Sequence, residues 1–152
     1  MFWQKNTFKS KLFSQKDFYG NFIQDLKKCK KEVIVESPYI TSSRMEVLYP
    51  IFEELLYRGV KIHIVTRDPI DHDENIRHQA TNEILYSKEL GINIILLKGY
   101  HHRKIAIIDQ NILWEGSLNI LSHNSSQEIM RRIEGENKGD GERVKCHKVS
   151  MK

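Results

Sequence analysis

The sequence predicts an α/β fold, a mixed β-sheet flanked by helices. Two observations carry this reading. Short β-branched runs alternate with amphipathic helical stretches through the first hundred residues, which is the strand–helix–strand pattern of neighbouring parallel strands. Two further strands then follow, one on each side of the turn Gln110-Asn111. That antiparallel hairpin makes an otherwise mainly parallel sheet mixed. At 152 residues the chain accommodates one domain. Its 39% hydrophobic and 29% charged residues are ordinary for a globular protein.

Taken in order, residues 1–16 are polar and basic with scattered aromatics and are expected to form a basic N-terminal arm. From 17 to 31, Phe18, Phe22, Ile23 and Leu26 recur at helical spacing. Lys27, Lys28, Lys30 and Lys31 follow where the helix dipole favours cations. Val33-Ile34-Val35 reads as a buried strand ended by Glu36-Ser37-Pro38-Tyr39. Ser42-Ser43 are expected to cap a second helix over 44–58, with Met45, Leu48, Ile51, Phe52, Leu55 and Leu56 on its apolar face. After Gly59, residues 60–66 form the next strand, and Arg67-Asp68-Pro69 a loop. A third helix spans 75–90 and stops at Gly91; residues 92–97 make the third strand. Residues 104–109 and 112–115 are the hairpin strands. The domain is expected to cover 17–133, with 134–152 as a polar, Gly-containing tail that is disordered or orders against a partner.

Cys29 and Cys146 lack zinc-site or disulfide-framework spacing, and free thiols are expected. No apolar run is long enough for a transmembrane helix. No apolar h-region follows Met1. A cytoplasmic protein with no membrane association is the expectation. The net charge of +4 and pI near 9.0 lean toward a polyanionic partner.

The chemistry is concentrated in one string: His102, Lys104 two residues on, Asp109 after four more, then Gly116-Ser117-Leu118-Asn119. On a strand, His102 and Lys104 project to one face. The hairpin returns Gly116, Ser117 and Asn119 beside His102. A phosphate diester suits this set. Lys104 supplies positive charge, Ser117 and Asn119 supply donors, and His102 can attack phosphorus to form a covalent intermediate. The attacking imidazole needs an acceptor on its other nitrogen, and Glu128 is the candidate.

This string resembles, position for position, the HxKxxxxD…GSxN signature of the phospholipase D superfamily. The resemblance covers roughly 17–133, including Glu36-Ser37-Pro38-Tyr39, and looks closest to small bacterial nucleases and helicase-associated nuclease domains. It implies a phospholipase D-like sandwich in which His102 is the nucleophile and a second copy of the motif supplies the general acid, with no metal and no cofactor. Lys104, Ser117 and Asn119 would bind the phosphate, Asp109 would organise the motif, and Glu128 would orient the histidine. Family enzymes place two motifs about a pseudo-twofold axis. This chain has one, so a homodimer with the site on its axis is expected.

Other residues carry a bland reading beside a sharp one. His101 is read as exposed rather than substrate-binding, and Glu36 as structural or site-lining. Tyr39 is read as packing rather than base-stacking, and Arg67-Asp68 as a loop salt bridge or a functional strand end. Arg131 and Arg132 read as a solvated face rather than a phosphate clamp. Asp71-His72-Asp73 read as loop residues rather than a metal site. The expected activity is metal-independent cleavage of DNA or RNA. Its rival is a catalytically silent nucleic-acid-binding module or a subunit working with a helicase or restriction partner. A phospholipase is less expected, because such chains are longer, carry two motifs and often have membrane segments.

Overall fold

The computed structural model describes residues 7–123 and 125–135. Strand β1 (Phe8–Ser14) leads into helix α1 (Gln15–Lys27). Strand β2 (Glu32–Glu36), helix α2 (Ser42–Tyr57) and strand β3 (Lys61–Arg67) follow. After a single 3-10 turn, Pro69–Asp71, come helix α3 (Glu74–Leu90) and strand β4 (Asn93–Leu97). Strands β5 (Ile105–Ile108) and β6 (Ile112–Gly116) form the expected hairpin, and β7 (Ile129–Gly135) closes the described chain. Among the described residues the sheet runs β1-β7-β6-β5-β2-β3-β4.

The sheet is mixed, as expected, but the expected parallel majority gives way. β2–β3 and β3–β4 pair parallel, while β2–β5, β5–β6, β6–β7 and β7–β1 pair antiparallel. The shift comes from two strands beyond the hairpin. Residues 8–14, expected within an arm, form edge strand β1, and β7 carries the sheet through Glu134 and Gly135. Lys9 and Lys11 on β1 are the charges that keep an exposed edge from pairing further. The expected tail beyond Gly135 and the first six residues lie outside the described residues.

The sheet's alternation decides where the core sits. Val33, Val35, Ile62, Ile64, Ala106, Ile108, Trp114 and Met130 are buried together with the apolar faces of the three helices. The helices pack side by side, with α2 between α1 and α3. Trp114 is the hub. Its ring meets Phe13, Phe18 and Phe22 at 5.0, 5.1 and 6.3 Å. Its indole N–H donates to Asp25 at 2.8 Å. Asp25 also accepts two bonds from Arg132, at 2.7 and 2.9 Å. Arg132 is thereby committed to holding α1 against β7, and Arg131 faces Glu115 at 3.8 Å. Burial of apolar area at about 25 cal/mol per Å² makes this cluster the main source of stability.

Helix limits follow the chain's punctuation. Asp73 caps α3 by accepting from the Ile76 amide, and Gly91 ends it in the left-handed conformation, φ +98°. For α2 the cap differs from expectation. Thr41, not Ser42 or Ser43, is the capping residue, and its hydroxyl accepts from the His123 amide instead of from the helix. Cys29 is a buried free thiol whose pKa burial pushes up to about 12, so it is chemically inert at neutral pH. Among the described residues no helix is long and apolar enough to cross a membrane.

Candidate active site

The β5–β6 hairpin turns on Asp109 and Gln110, one residue earlier than expected. Both have positive φ, +51° and +55°, and Asn111 N–H closes the turn on Ile108 at 3.0 Å. The Asp109 carboxylate points back under the α1–β2 connection. It accepts from the backbone N–H groups of Lys30, Lys31 and Glu32 at 2.8, 2.7 and 3.1 Å, and from the Cys29 thiol at 3.3 Å. Burial alone would raise its pKa, but these donors outweigh that and lower it. Asp109 stands at the far end of β5 from His102, about 17 Å of extended chain beyond Lys104. There it anchors the hairpin's closed end to the α1–β2 connection.

At the open end, the ladder is continued by Gly116 N–H donating to the Lys104 carbonyl at 3.3 Å. Gly116 is demanded by close approach: a Cβ there would lie 2.1 Å from the Ile129 carbonyl oxygen and 2.9 Å from Met130 Cα. Gly116→Ala is therefore expected to part β6 from β7 and lower stability by about 3 kcal/mol, read as a drop in thermal midpoint. Next, Ser117 N–H donates to the Ile129 carbonyl at 3.0 Å, and its hydroxyl accepts from Ile129 N–H at 3.1 Å. This double tie sets the Ser117 hydroxyl beside Glu128.

Lys104, Ser117 and Glu128 are brought together. The Glu128 carboxylate accepts from Ser126 at 2.7 Å. The Ser117 and Ser126 hydroxyls, helped by the charge of Lys104, lower its pKa. Burial lowers the pKa of Lys104, opposed by Glu128. The Lys104 ammonium donates to the His102 backbone carbonyl at 2.7 Å. His102 itself is exposed, and its ring makes no hydrogen bond among the described residues. Glu128, the expected acceptor for that ring, is engaged with the two serines. Asn119 follows two residues after Ser117, and its Oδ1 is buried without a partner. A cleft of about 540 Å³ opens beside this group, lined by Ser14, Gln15, Lys16, Ser117, Gln127, Glu128 and Ile129. Lys16 on its rim adds a second cation.

Sequence reasoning missed the clamp that holds the His102 peptide. Glu36 ends β2 and is 5% exposed. Its Oε2 lies 2.9 Å from Arg103 Nε and 3.3 Å from His101 Nε2. One buried carboxylate thus pairs with Arg103 on one side of His102 and lies against the His101 ring on the other, without a hydrogen bond to that ring. His101 is half-buried on Glu36, not the exposed residue expected; burial lowers its pKa, opposed by Glu36. A charge closing a buried Val-Ile-Val run was the available signal. The Asp71-His72-Asp73 stretch divides three ways. Asp71 accepts from Gly99 N–H at 3.1 Å, His72 stacks on Tyr39 with centroids 4.9 Å apart, and Asp73 caps α3. Arg67 and Asp68 form no salt bridge with each other; Asp68 instead caps the 3-10 turn through Ile70 N–H at 3.1 Å.

Comparison with known proteins places the fold. The chain is similar in structure to NucT from Helicobacter pylori, with a TM-score of 0.66, 21% identity, and coverage of 84% of this chain and 86% of that one. It is similar to Nuc from Salmonella typhimurium, a phospholipase D family member, with a TM-score of 0.64, 16% identity, and coverage of 85% and 84%. It also resembles phosphatidylserine synthase of Haemophilus influenzae, with a TM-score of 0.61 and 10% identity, but spans only 36% of that chain. No curated protein matches the chain in sequence. The family model described as the cardiolipin synthase, PLD-like domain matches residues 22–138, and the chain belongs to that phospholipase D-like family.

Proposed function

We propose that this chain is a nucleic-acid phosphodiesterase that works without a metal, through a phosphohistidine on His102, as a homodimer. The observation that carries the reading is the open end of the hairpin. There Lys104, Ser117 and Glu128 meet, with Ser117 and Glu128 lining a cleft, and the chain neighbours His102 and Asn119 carry, among the described residues, a ring with no hydrogen bond and an amide oxygen without a partner. The likeness in fold to NucT and to Nuc supports the nuclease reading. The net charge of +4 supports a polyanionic substrate.

In this reading the phosphate displaces the His102 carbonyl from the Lys104 ammonium. Ser117 and Asn119 donate to the remaining oxygens. The imidazole nitrogen of His102 attacks phosphorus, a P–N bond forms and the P–O bond to one nucleoside breaks. His102 of the partner subunit gives its proton to the departing oxygen. Water then attacks phosphorus, the same histidine takes a proton from it, and the P–N bond breaks. Glu128, kept anionic by its serines, holds Lys104 and Ser117 in place before the phosphate arrives and orients the ring once it has.

The test is cleavage of single- and double-stranded DNA and RNA in excess EDTA. Turnover that survives the chelator supports the reading. A folded dimer that binds these polymers and cleaves none of them would instead be a binding module or a subunit of a helicase or restriction assembly. Subunit sharing has its own test. Wild type randomly mixed with an equal amount of His102→Ala is expected to retain about a quarter of the wild-type activity per total protein, because only dimers with two intact histidines turn over. Retention of a half would mean that each subunit acts alone.

A further inference from the structure

Away from the hairpin, the ends of the parallel strands hold a charge that the described chain leaves unbalanced. Arg67 closes β3 and is 8% exposed. Its guanidinium reaches the Tyr39 hydroxyl and the Asp71 backbone carbonyl, each at 3.5 Å, the outer limit of a hydrogen bond. Its Nε has no hydrogen-bond partner. Among the described residues no carboxylate forms an ion pair with it. The neighbouring acids are engaged elsewhere: Asp68 with Ile70 N–H, Asp71 with Gly99 N–H, and Glu36 with Arg103. Beside it, His72 is 6% exposed, is stacked on Tyr39, and its Nε2 is also unpartnered.

A buried cation without an anion is costly, and a well-packed apolar residue would serve the fold better. Tyr39 offers only a weak offset, with its ring 5.9 Å from the guanidinium. The placement adds to this. Arg67 sits at the carboxyl ends of β2, β3 and β4, where open α/β sheets take up ligands. β3 lies two strands from β5, about 10 Å. The loop that carries His102 is pinned down between them, by Gly99 on Asp71 and by His101 and Arg103 on Glu36.

We propose that Arg67, Tyr39 and His72 form an anion subsite next to the cleavage site, which takes a phosphate neighbouring the scissile one on the same strand. The proposal rests on the phosphodiesterase reading and names how a polymer is favoured over a lone diester. The guanidinium fork grips two phosphate oxygens, and the Tyr39 hydroxyl donates to a third group on the backbone.

The experiment compares two substrates, a single-stranded oligonucleotide and bis(p-nitrophenyl) phosphate, which has no neighbouring phosphate. Arg67→Met is expected to lose about tenfold in kcat/KM on the oligonucleotide and several-fold less on the small ester. The salt dependence of oligonucleotide affinity is expected to fall by about one phosphate contact. The thermal midpoint is expected to hold or rise, the sign of a residue kept for a ligand and not for the fold. Arg67→Lys, which keeps the charge and loses the fork, is expected to lose less oligonucleotide turnover and to retain the salt slope; it carries the test if the Met variant fails to fold. Equal losses on both substrates, or no loss on the oligonucleotide, overturn the subsite. If the wild type hydrolyses neither substrate, the phosphodiesterase reading fails by itself. Oligonucleotide affinity then still tests the subsite, and equal affinity of wild type and Arg67→Met overturns it.

Discussion

His102→Ala is expected to lower kcat/KM for oligonucleotide cleavage by at least about 10⁴-fold and to leave oligonucleotide affinity within a few fold. The argument is geometric. The exposed ring makes no hydrogen bond among the described residues, so its removal breaks no internal contact. The backbone around it is held from other points: Glu36 pairs with Arg103 and lies against His101, and Lys104 bonds the His102 carbonyl. Lys104, Ser117 and Asn119 should therefore still receive phosphate in the variant. What disappears is the atom that bonds to phosphorus, and a 10⁴-fold loss is about 5.4 kcal/mol of transition-state stabilisation. Two readouts check this, single-turnover cleavage in EDTA and fluorescence anisotropy with a labelled oligonucleotide. A variant that cleaves within tenfold of the wild type would remove His102 from the chemistry. Loss of binding together with cleavage would make it a substrate ligand.

Much of this arrangement was legible in the chain because it depends on local rules. The β-branched runs 33–35 and 92–97, the helix stop at Gly91, and the hairpin spacing translate directly into elements. So does the return of Ser117 toward Lys104, since a hairpin returns residues at fixed offsets, whereas Glu128 arrives just before β7. What escaped depends on distant pairing. The stretch 8–14 alternates Lys, Ser and aromatics, which reads as a loose arm until β7 offers its free edge. β7 itself hides as Met130-Arg131-Arg132-Ile133, where a half-buried arginine looks like a solvated one until Asp25 on α1 is placed against it. The clamp of Glu36 on Arg103 joins residues sixty-seven positions apart, and the isolation of Arg67 is a matter of which carboxylates are turned away. Neither has a local signature. Asp109 lies a strand's length from His102, and its three backbone donors on the α1–β2 connection are likewise distant in sequence.

That separation leads to the second large effect, on stability. Asp109→Ala is expected to cost about 4 kcal/mol, and Asp109→Asn about 2 kcal/mol. In the native protein the carboxylate satisfies three backbone N–H groups of the α1–β2 connection. Alanine leaves all three without that acceptor and also strains the turn, because φ +51° suits Asp or Asn better than Ala. Asparagine keeps the turn but offers one oxygen and an NH₂ group that faces donors with a donor. The pH dependence separates charge from shape. The folded pKa lies below the ordinary value of an aspartate, so the carboxylate's contribution is complete above that ordinary value and is lost as pH falls through the lowered folded one. The stability gap between wild type and Asp109→Asn, measured by denaturant unfolding, is therefore expected to be constant near neutral pH and to narrow below about pH 4. A gap that stays constant to pH 2 would mean that the contribution is one of turn geometry alone. Because the same residue fixes where β5 begins its return, a loosened turn should also let β6 slide. Ser117 would then drift from Glu128, and cleavage would fall at temperatures where the chain is still folded.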